Sequence, residues 1–151
     1  MHPILFRIGS FPVATYALLA LVGLVSGCAV FSWLAARDGR SRLTFLDMGV
    51  VAFLVALLSS KVFGAVVDFD ADRPWESIQH VLRFGGHYYI GVIAGVTYLA
   101  FAFRRHRVPL GTGLDYLAPA LSLAHAFGRI GCFFAGCCFG SACAAPWAVT
   151  F

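Results

Sequence analysis

Four long apolar stretches limit what this chain can fold into. They lie at residues 11–36, 43–67, 84–103 and 110–134, and each approaches or exceeds the roughly 20 residues that a helix needs to cross a bilayer. The composition agrees, because 60% of the residues are hydrophobic and only 12% are charged, whereas a soluble domain is about one quarter charged. The sequence therefore predicts an all-α, polytopic integral membrane helix bundle with about four transmembrane helices, in a single domain covering residues 1–151.

The arginines between the apolar stretches predict the orientation. The first and third connections each carry three arginines, whereas the second is mainly acidic: Arg37, Arg40 and Arg42; Arg104, Arg105 and Arg107; Asp68, Asp70, Asp72 and Glu76. Because Lys and Arg accumulate on the cytoplasmic side, the first and third loops are expected inside and the N-terminus outside. Although the net charge is +4, arginines clustered between apolar runs indicate topology rather than a phosphate-binding face, so no nucleic-acid partner is expected.

Some polar and small residues lie within the apolar stretches. Ionisable side chains there are costly and usually face a bundle interior or a cavity, which makes Lys61 a candidate site residue, with snorkelling to the interface as the alternative. Tyr16 lies early in the first stretch, where an aromatic-belt position is the alternative. Gly91 and Gly95 are spaced to let another helix approach closely, which predicts packing.

The stretch GRIGCFFAGCCFG, beginning at residue 128, sets an arginine near the end of the last apolar run. His125, Arg129 and Cys132 are spaced to share one face of a continuous helix. The guanidinium of Arg129 keeps its charge, and its fork fits a phosphate in bidentate fashion. A lipid phosphate is therefore the predicted partner of Arg129, and a structural ion pair with Asp68 or Asp70 is the alternative.

Four of the five cysteines cluster near the end of the chain, at Cys132, Cys137, Cys138 and Cys143. By alternation of the spans this cluster is expected on the extracytoplasmic side, where disulfides persist. We therefore predict at least one disulfide among the four, with buried thiols as the alternative. No metal or other cofactor is expected, because the spacing departs from that of paired zinc hooks.

The run DYLAPALSLAHAFGRIGCFFAGCCFG, residues 115–140, resembles the signature region of the prolipoprotein diacylglyceryl transferase family. The family pattern there is approximately Asp-x-x-Ala-Pro, followed by Gly-Arg-x-Gly-Asn-Phe-x-Asn-Gly-Glu-x-x-Gly. The opening MHPILF, Tyr16, the segment GGHYYIGVIAG, and Lys61 near a position usually held by Arg extend the resemblance over nearly the whole chain. Family enzymes continue through further helices with another essential Arg, so a sequence ending in APWAVTF is expected to be the N-terminal part of such a protein.

The resemblance implies a lipid headgroup site whose central residue is Arg129. The other residues that it implies in this site are Tyr16, Lys61, Gly128, Gly131 and Gly136.

The acid–base residues of the family pattern are replaced in this chain. Cys132 and Ala135 stand where the family has Asn, and Cys137 stands where it has Glu. The histidine of the third-helix motif falls at Ile90, and His87 lies a few residues earlier. The candidate catalytic residues are therefore His87 and Cys137.

The resemblance also implies an activity. It is that of a bacterial inner-membrane transferase, which moves a diacylglyceryl group from phosphatidylglycerol to the lipobox cysteine thiol of prolipoproteins. Its partners would be phosphatidylglycerol, prolipoprotein signal peptides and membrane lipids. The departing phosphate needs charge stabilisation, which an arginine supplies, and the thiol needs a base. The alternatives are a non-catalytic or thiol-redox membrane protein on the same fold, with a disulfide-stabilised outer cap, and, more weakly, metal handling by the cysteines.

Overall fold

The computed structural model describes residues 4–8, 11–68, 70, 73–75, 79, 87–137, 141, 144–146 and 148. This described part forms four helices, α1 Thr15–Arg37, α2 Arg42–Val67, α3 Tyr88–Arg105 and α4 Leu110–Ala135. Within it, α1, α2 and α4 are long and apolar enough to cross a membrane. The predicted all-α membrane fold is thereby confirmed. The helix α3 forms in the third apolar stretch, but it has only 18 residues, including three tyrosines and two arginines, and its crossing of the membrane stays a prediction.

The predicted bounds were accurate for two helices and wrong for the first. The helices α2 and α4 lie within one residue of their predicted ends. The first span was expected from residue 11, but residues 11–14 form a strand and α1 begins at Thr15. The third span was expected from residue 84, and residues 84–86 lie outside the described residues.

A short β-hairpin precedes α1. Its strands, β1 Ile4–Ile8 and β2 Phe11–Ala14, are antiparallel, with Ile4 opposite Ala14 and Ile8 opposite Phe11. A run this short and apolar is compatible with either strand or helix, so hydrophobicity did not reveal the hairpin. Pro12 favours an extended conformation at Phe11, because the residue before a proline is disfavoured in the helical region.

Glycines in the left-handed conformation end α1 and α4. At α1, Gly39 has φ +72°, its amide donates to the carbonyl of Ala36 at 3.1 Å, and the amide of Arg40 donates to Ala35 at 3.0 Å. This pair of bonds is a Schellman motif, which satisfies carbonyls that the helix leaves unpaired. Arg107 takes the same position after α3 with φ 53°, although a side chain disfavours that conformation.

The contacts divide the chain into two compact units. We call Met1–Val30 with Ala118–Phe151 the terminal unit, and Phe31–Leu117 the central unit.

In the terminal unit, α1 and α4 pack through small residues. A Cβ atom on Gly23 would lie 2.9 Å from the carbonyl oxygen of Ala124, and one on Gly27 would lie 3.1 Å from that of Ala120. Only glycine allows main chains to approach this closely, as in other membrane helix pairs. The sequence interpretation had not singled out this Gly-xxx-Gly pair.

In the central unit, α2 and α3 pack in the way that the glycine spacing predicted. A Cβ atom on Gly91 would lie 2.9 Å from the carbonyl oxygen of Ala56, and one on Gly95 would lie 3.3 Å from that of Ala52. The packing role of this glycine pair is confirmed.

Aromatic rings form the core of the central unit. The rings of Phe31, Phe45 and Phe103 are buried with centroids 5.2–6.4 Å apart. Tyr116 meets Phe45 edge-on at 5.8 Å, and its hydroxyl donates a hydrogen bond to the carboxylate of Asp38. This bond satisfies the polar end of a ring that is only 5% exposed, which an apolar core requires.

Candidate functional site

The last part of α4 carries the arginine that the sequence singled out. The helix is continuous from residue 110 to 135 in spite of Pro119, so His125, Arg129 and Cys132 share one face, as predicted. Arg129 and His125 are exposed, and Cys132 is half-buried. A Cβ atom on Gly128 would meet nothing within 4 Å. An open surface therefore lies beside the guanidinium-bearing residue.

Tyr16 packs against α4 at Gly131, which follows Arg129 by two residues in the sequence. A Cβ atom on Gly131 would be 3.1 Å from Cδ2 of Tyr16 and 3.4 Å from its Cα. The Tyr16 side chain is 45% exposed, so part of the ring packs on the helix and part remains accessible. The space beside Gly131 is occupied by Tyr16 rather than left open, which makes Gly131 the residue that positions the tyrosine.

Gly136 ends α4 and determines where Cys137 lies. It has φ +70°, its amide donates to Phe133 at 3.3 Å, and the amide of Cys137 donates to the carbonyl of Cys132 at 3.1 Å. These are the two bonds of a Schellman motif. Cys137 is exposed directly after this cap.

An apolar cleft in the terminal unit adjoins the Tyr16 contact. Its volume is about 270 Å³, and it is lined by Ile4, Leu5, Thr15, Leu18, Leu19 and Phe134. The Cβ of Leu19 would also lie 3.6 Å from a Cβ on Gly131, so one side chain connects the cleft to the packing of Tyr16. The lining suits hydrocarbon, since it offers little to hydrogen-bond.

The other predicted site residues lie in the central unit, where α2 approaches the start of α3. His87 is the N-cap of α3, and its amide donates to the carbonyl of Ser60 at 3.5 Å. Ser60 directly precedes Lys61, which is half-buried. The His87 ring meets Phe63 edge-on at 5.0 Å. Its Nδ1 is buried and has no hydrogen-bond partner among the described residues. The structure thus brings His87 next to Ser60, the residue before Lys61. This contact was not predicted from the sequence.

The cysteine cluster is described only in part. Cys137 carries a free thiol, and no bond joins its sulfur to that of Cys132. Cys138 and Cys143 lie outside the described residues, so the predicted disulfide stays a prediction. Among the residues that the structure describes, no group of three or more His, Cys, Asp or Glu is placed to hold a metal ion.

Known proteins resemble the chain along its whole length. The family model of prolipoprotein diacylglyceryl transferase matches residues 3–151. A phosphatidylglycerol–prolipoprotein diacylglyceryl transferase of Clostridium tetani is 27% identical over 100% of this chain and 61% of that protein. Proteins of the same name from Rhodopirellula baltica and Synechocystis sp. are 32% and 28% identical over 92% and 96% of the chain, and over 30% and 52% of their own lengths. The chain therefore spans less than two thirds of each of these relatives.

Proposed function

The chain belongs to the prolipoprotein diacylglyceryl transferase family, and on that basis we propose that it transfers the diacylglyceryl group of phosphatidylglycerol to the lipobox cysteine thiol of prolipoproteins. The names of its relatives support these two substrates. The proposed partners are phosphatidylglycerol in the surrounding membrane and the signal peptide of a prolipoprotein.

The observation that carries this proposal is the contact of Tyr16 with Gly131, two residues after Arg129 in the last turns of α4. It brings a residue near the start of the chain to the helix end that bears the arginine. The two side chains offer complementary polar groups, since a guanidinium donates to phosphate and a phenol hydroxyl both donates and accepts. Arg129 and the open surface at Gly128 support a site for an anionic headgroup, and Tyr16 adds a hydroxyl group at the same end of α4.

The apolar cleft supports the other half of the lipid. We propose that an acyl chain of phosphatidylglycerol enters the cleft between Leu5 and Phe134, while Arg129 holds the phosphate. Because the acyl chain already lies in hydrocarbon, the cleft would contribute mainly through packing contacts, which hold the lipid in one orientation.

The proposed reaction is a displacement at carbon. The thiolate sulfur of the prolipoprotein attacks the glycerol carbon that carries the phosphate, and a thioether bond forms. The bond between that carbon and the phosphate oxygen breaks, and glycerol phosphate leaves with the electron pair. Arg129 stabilises the negative charge that grows on the leaving group, which is where a fixed cation lowers the barrier most.

A base must take the proton of the attacking thiol, because the thiolate is the nucleophile. We propose His87 for this role, since its ring is held against Phe63. Its Nδ1 is buried, so Nε2 would accept the proton. Cys137 is the second candidate, because its thiol is exposed and can accept a proton once ionised.

We further propose that the protein lies in the bacterial inner membrane with its N-terminus and Cys137 on the extracytoplasmic side. The support is the distribution of charge, since three arginines lie in each connection that is proposed to be cytoplasmic. The lipid headgroup site would then face the compartment in which signal peptides emerge.

The test replaces the arginine in two steps. In nanodiscs containing phosphatidylglycerol, Arg129→Ala should weaken lipid binding roughly 10- to 150-fold, since hydrogen bonds to charged groups contribute about 1.5–3 kcal/mol. Arg129→Lys should lie between it and the wild type, because the charge stays and the bidentate fork is lost. Native mass spectrometry measures retained lipid, and mass analysis of a lipobox peptide measures thioether product.

The control is Arg105→Ala, which removes another exposed arginine at the end of α3 and should leave lipid retention unchanged. A folded Arg129→Ala protein that retains phosphatidylglycerol like the wild type would refute the headgroup role. A lower thermal stability of Arg129→Ala, with unchanged lipid selectivity among the molecules that remain folded, would instead identify Arg129 as part of a structural ion pair.

A further inference from the structure

The cap of α4 holds two cysteines close together. In its Schellman motif, Cys132 lies three residues before the capping residue Ala135, and Cys137 lies two residues after it. The amide of Cys137 donates to the carbonyl of Cys132 at 3.1 Å. Residues at these two positions frequently contact each other through their side chains.

This hydrogen bond limits the separation of the two main chains. Standard bond lengths on either side of a 3.1 Å bond place the two Cα atoms no more than about 7 Å apart, and bond angles shorten that path. Disulfides join Cα atoms about 4.4–6.8 Å apart. The cap therefore brings the two cysteines within the range of a disulfide.

The two thiols also differ in access. Cys137 is exposed, whereas Cys132 is half-buried within the last turn of the helix. An accessible thiol beside a less accessible one matches an attacking thiol and a resolving thiol, because access and thiolate character decide which sulfur reacts first.

We propose that Cys132 and Cys137 form a dithiol–disulfide couple across the cap of α4, which reacts with small-molecule disulfides. The detection of this couple needs no transferase activity, so the couple can be tested independently of the proposed transfer reaction. Its oxidised form links the last turn of α4, three residues after Arg129, to the residue that follows the cap.

The exchange proceeds in two balanced steps. The thiolate of Cys137 attacks one sulfur of the external disulfide, so a mixed disulfide forms and one small thiolate leaves. The Cys132 thiol then loses its proton to solvent, and its sulfur attacks the Cys137 sulfur and expels the second small thiolate. The protein loses two electrons and two protons, and the external disulfide is reduced to two thiols.

The first experiment isolates the pair. The protein with Cys28→Ser, Cys138→Ser and Cys143→Ser is purified in detergent, incubated with oxidised glutathione, alkylated and analysed by peptide mass spectrometry. The expected product is a peptide that has lost two hydrogens, with residues 132 and 137 inaccessible to alkylation until a reductant is added. In the control, a further Cys132→Ser change should leave glutathione attached to Cys137.

A second variant tests whether the cap brings the thiols together. Gly136 has φ +70°, and a side chain in that conformation costs about 1–2 kcal/mol. Gly136→Ala should therefore lower the equilibrium constant for internal disulfide formation against glutathione by roughly 5- to 30-fold. A three-serine protein that ends with glutathione on both cysteines, or with neither modified, would overturn the proposal. An equilibrium constant unchanged by Gly136→Ala would overturn the role of the cap.

Discussion

The first turn of α4 offers two glycines that should respond oppositely to the same substitution. A Cβ atom on Gly113 would lie 2.5 Å from Cδ2 and Cε2 of Phe103 and 2.8 Å from its Cζ. A Cβ atom on Gly111 would meet nothing within 4 Å. Phe103 is only 1% exposed and is packed against Phe31 and Phe45, so its ring has little room to move away.

The expected magnitudes follow from these distances. Alanine is more favourable than glycine within a helix by up to about 1 kcal/mol, so Gly111→Ala should raise the free energy of unfolding by about 0.5–1 kcal/mol. Gly113→Ala gains the same propensity but forces a methyl group into a filled core, which typically costs about 1–3 kcal/mol. With the carbon only 2.5 Å from the ring, the upper part of that range applies, and a net loss of about 1–2 kcal/mol is expected. The difference between the two variants reports the contact alone, because the propensity cancels.

The assay is reversible unfolding in mixed micelles, followed by circular dichroism as the denaturing detergent is increased. The variant Phe103→Leu, alone and combined with Gly113→Ala, completes a double-mutant cycle. If the ring causes the loss, the combined variant should be more stable than the sum of the single effects by at least about 0.5 kcal/mol. A Gly113→Ala protein as stable as Gly111→Ala would show that this ring does not lie over α4 as described.

Two further predictions concern orientation and the end of α3. In intact cells, a membrane-impermeant maleimide should label Cys137 in a variant without other cysteines. It should not label the introduced cysteine of Arg40→Cys in a cysteine-free background, because basic loops stay in the cytoplasm. The opposite labelling pattern would contradict the proposed orientation. Arg107→Gly should raise the free energy of unfolding by about 1 kcal/mol, since Arg107 has φ 53° and glycine carries no penalty in that conformation. Arg105→Gly, inside α3, should lower the free energy of unfolding by about the same amount. Equal effects of the two substitutions would be inconsistent with a left-handed residue ending α3.

The membrane-spanning helices could be predicted from the sequence because their causes are local. The length of an apolar run decides whether a segment can cross a bilayer, and α2 and α4 begin and end within one residue of the predicted bounds. The helical spacing of His125, Arg129 and Cys132 likewise placed them on one face. The hairpin before α1 was not predicted, because a short apolar run is compatible with either a strand or a helix, and pairing with a second segment decides between them.

The tertiary structure alone decided which distant residues meet. Tyr16 and Gly131 come together, as do His87 and Ser60, and in each pair the partners are separated by long stretches of chain. Hydropathy and charge belong to single residues, whereas a close approach depends on the matched shapes of two surfaces. In lipid this dependence is stronger, because an apolar side chain gains little by leaving hydrocarbon and helices associate through packing and hydrogen bonds. The sequence therefore determined which segments are membrane helices and which of their residues carry charge, and the packing of small residues such as Gly23 against Ala124 decided which faces come together around the site.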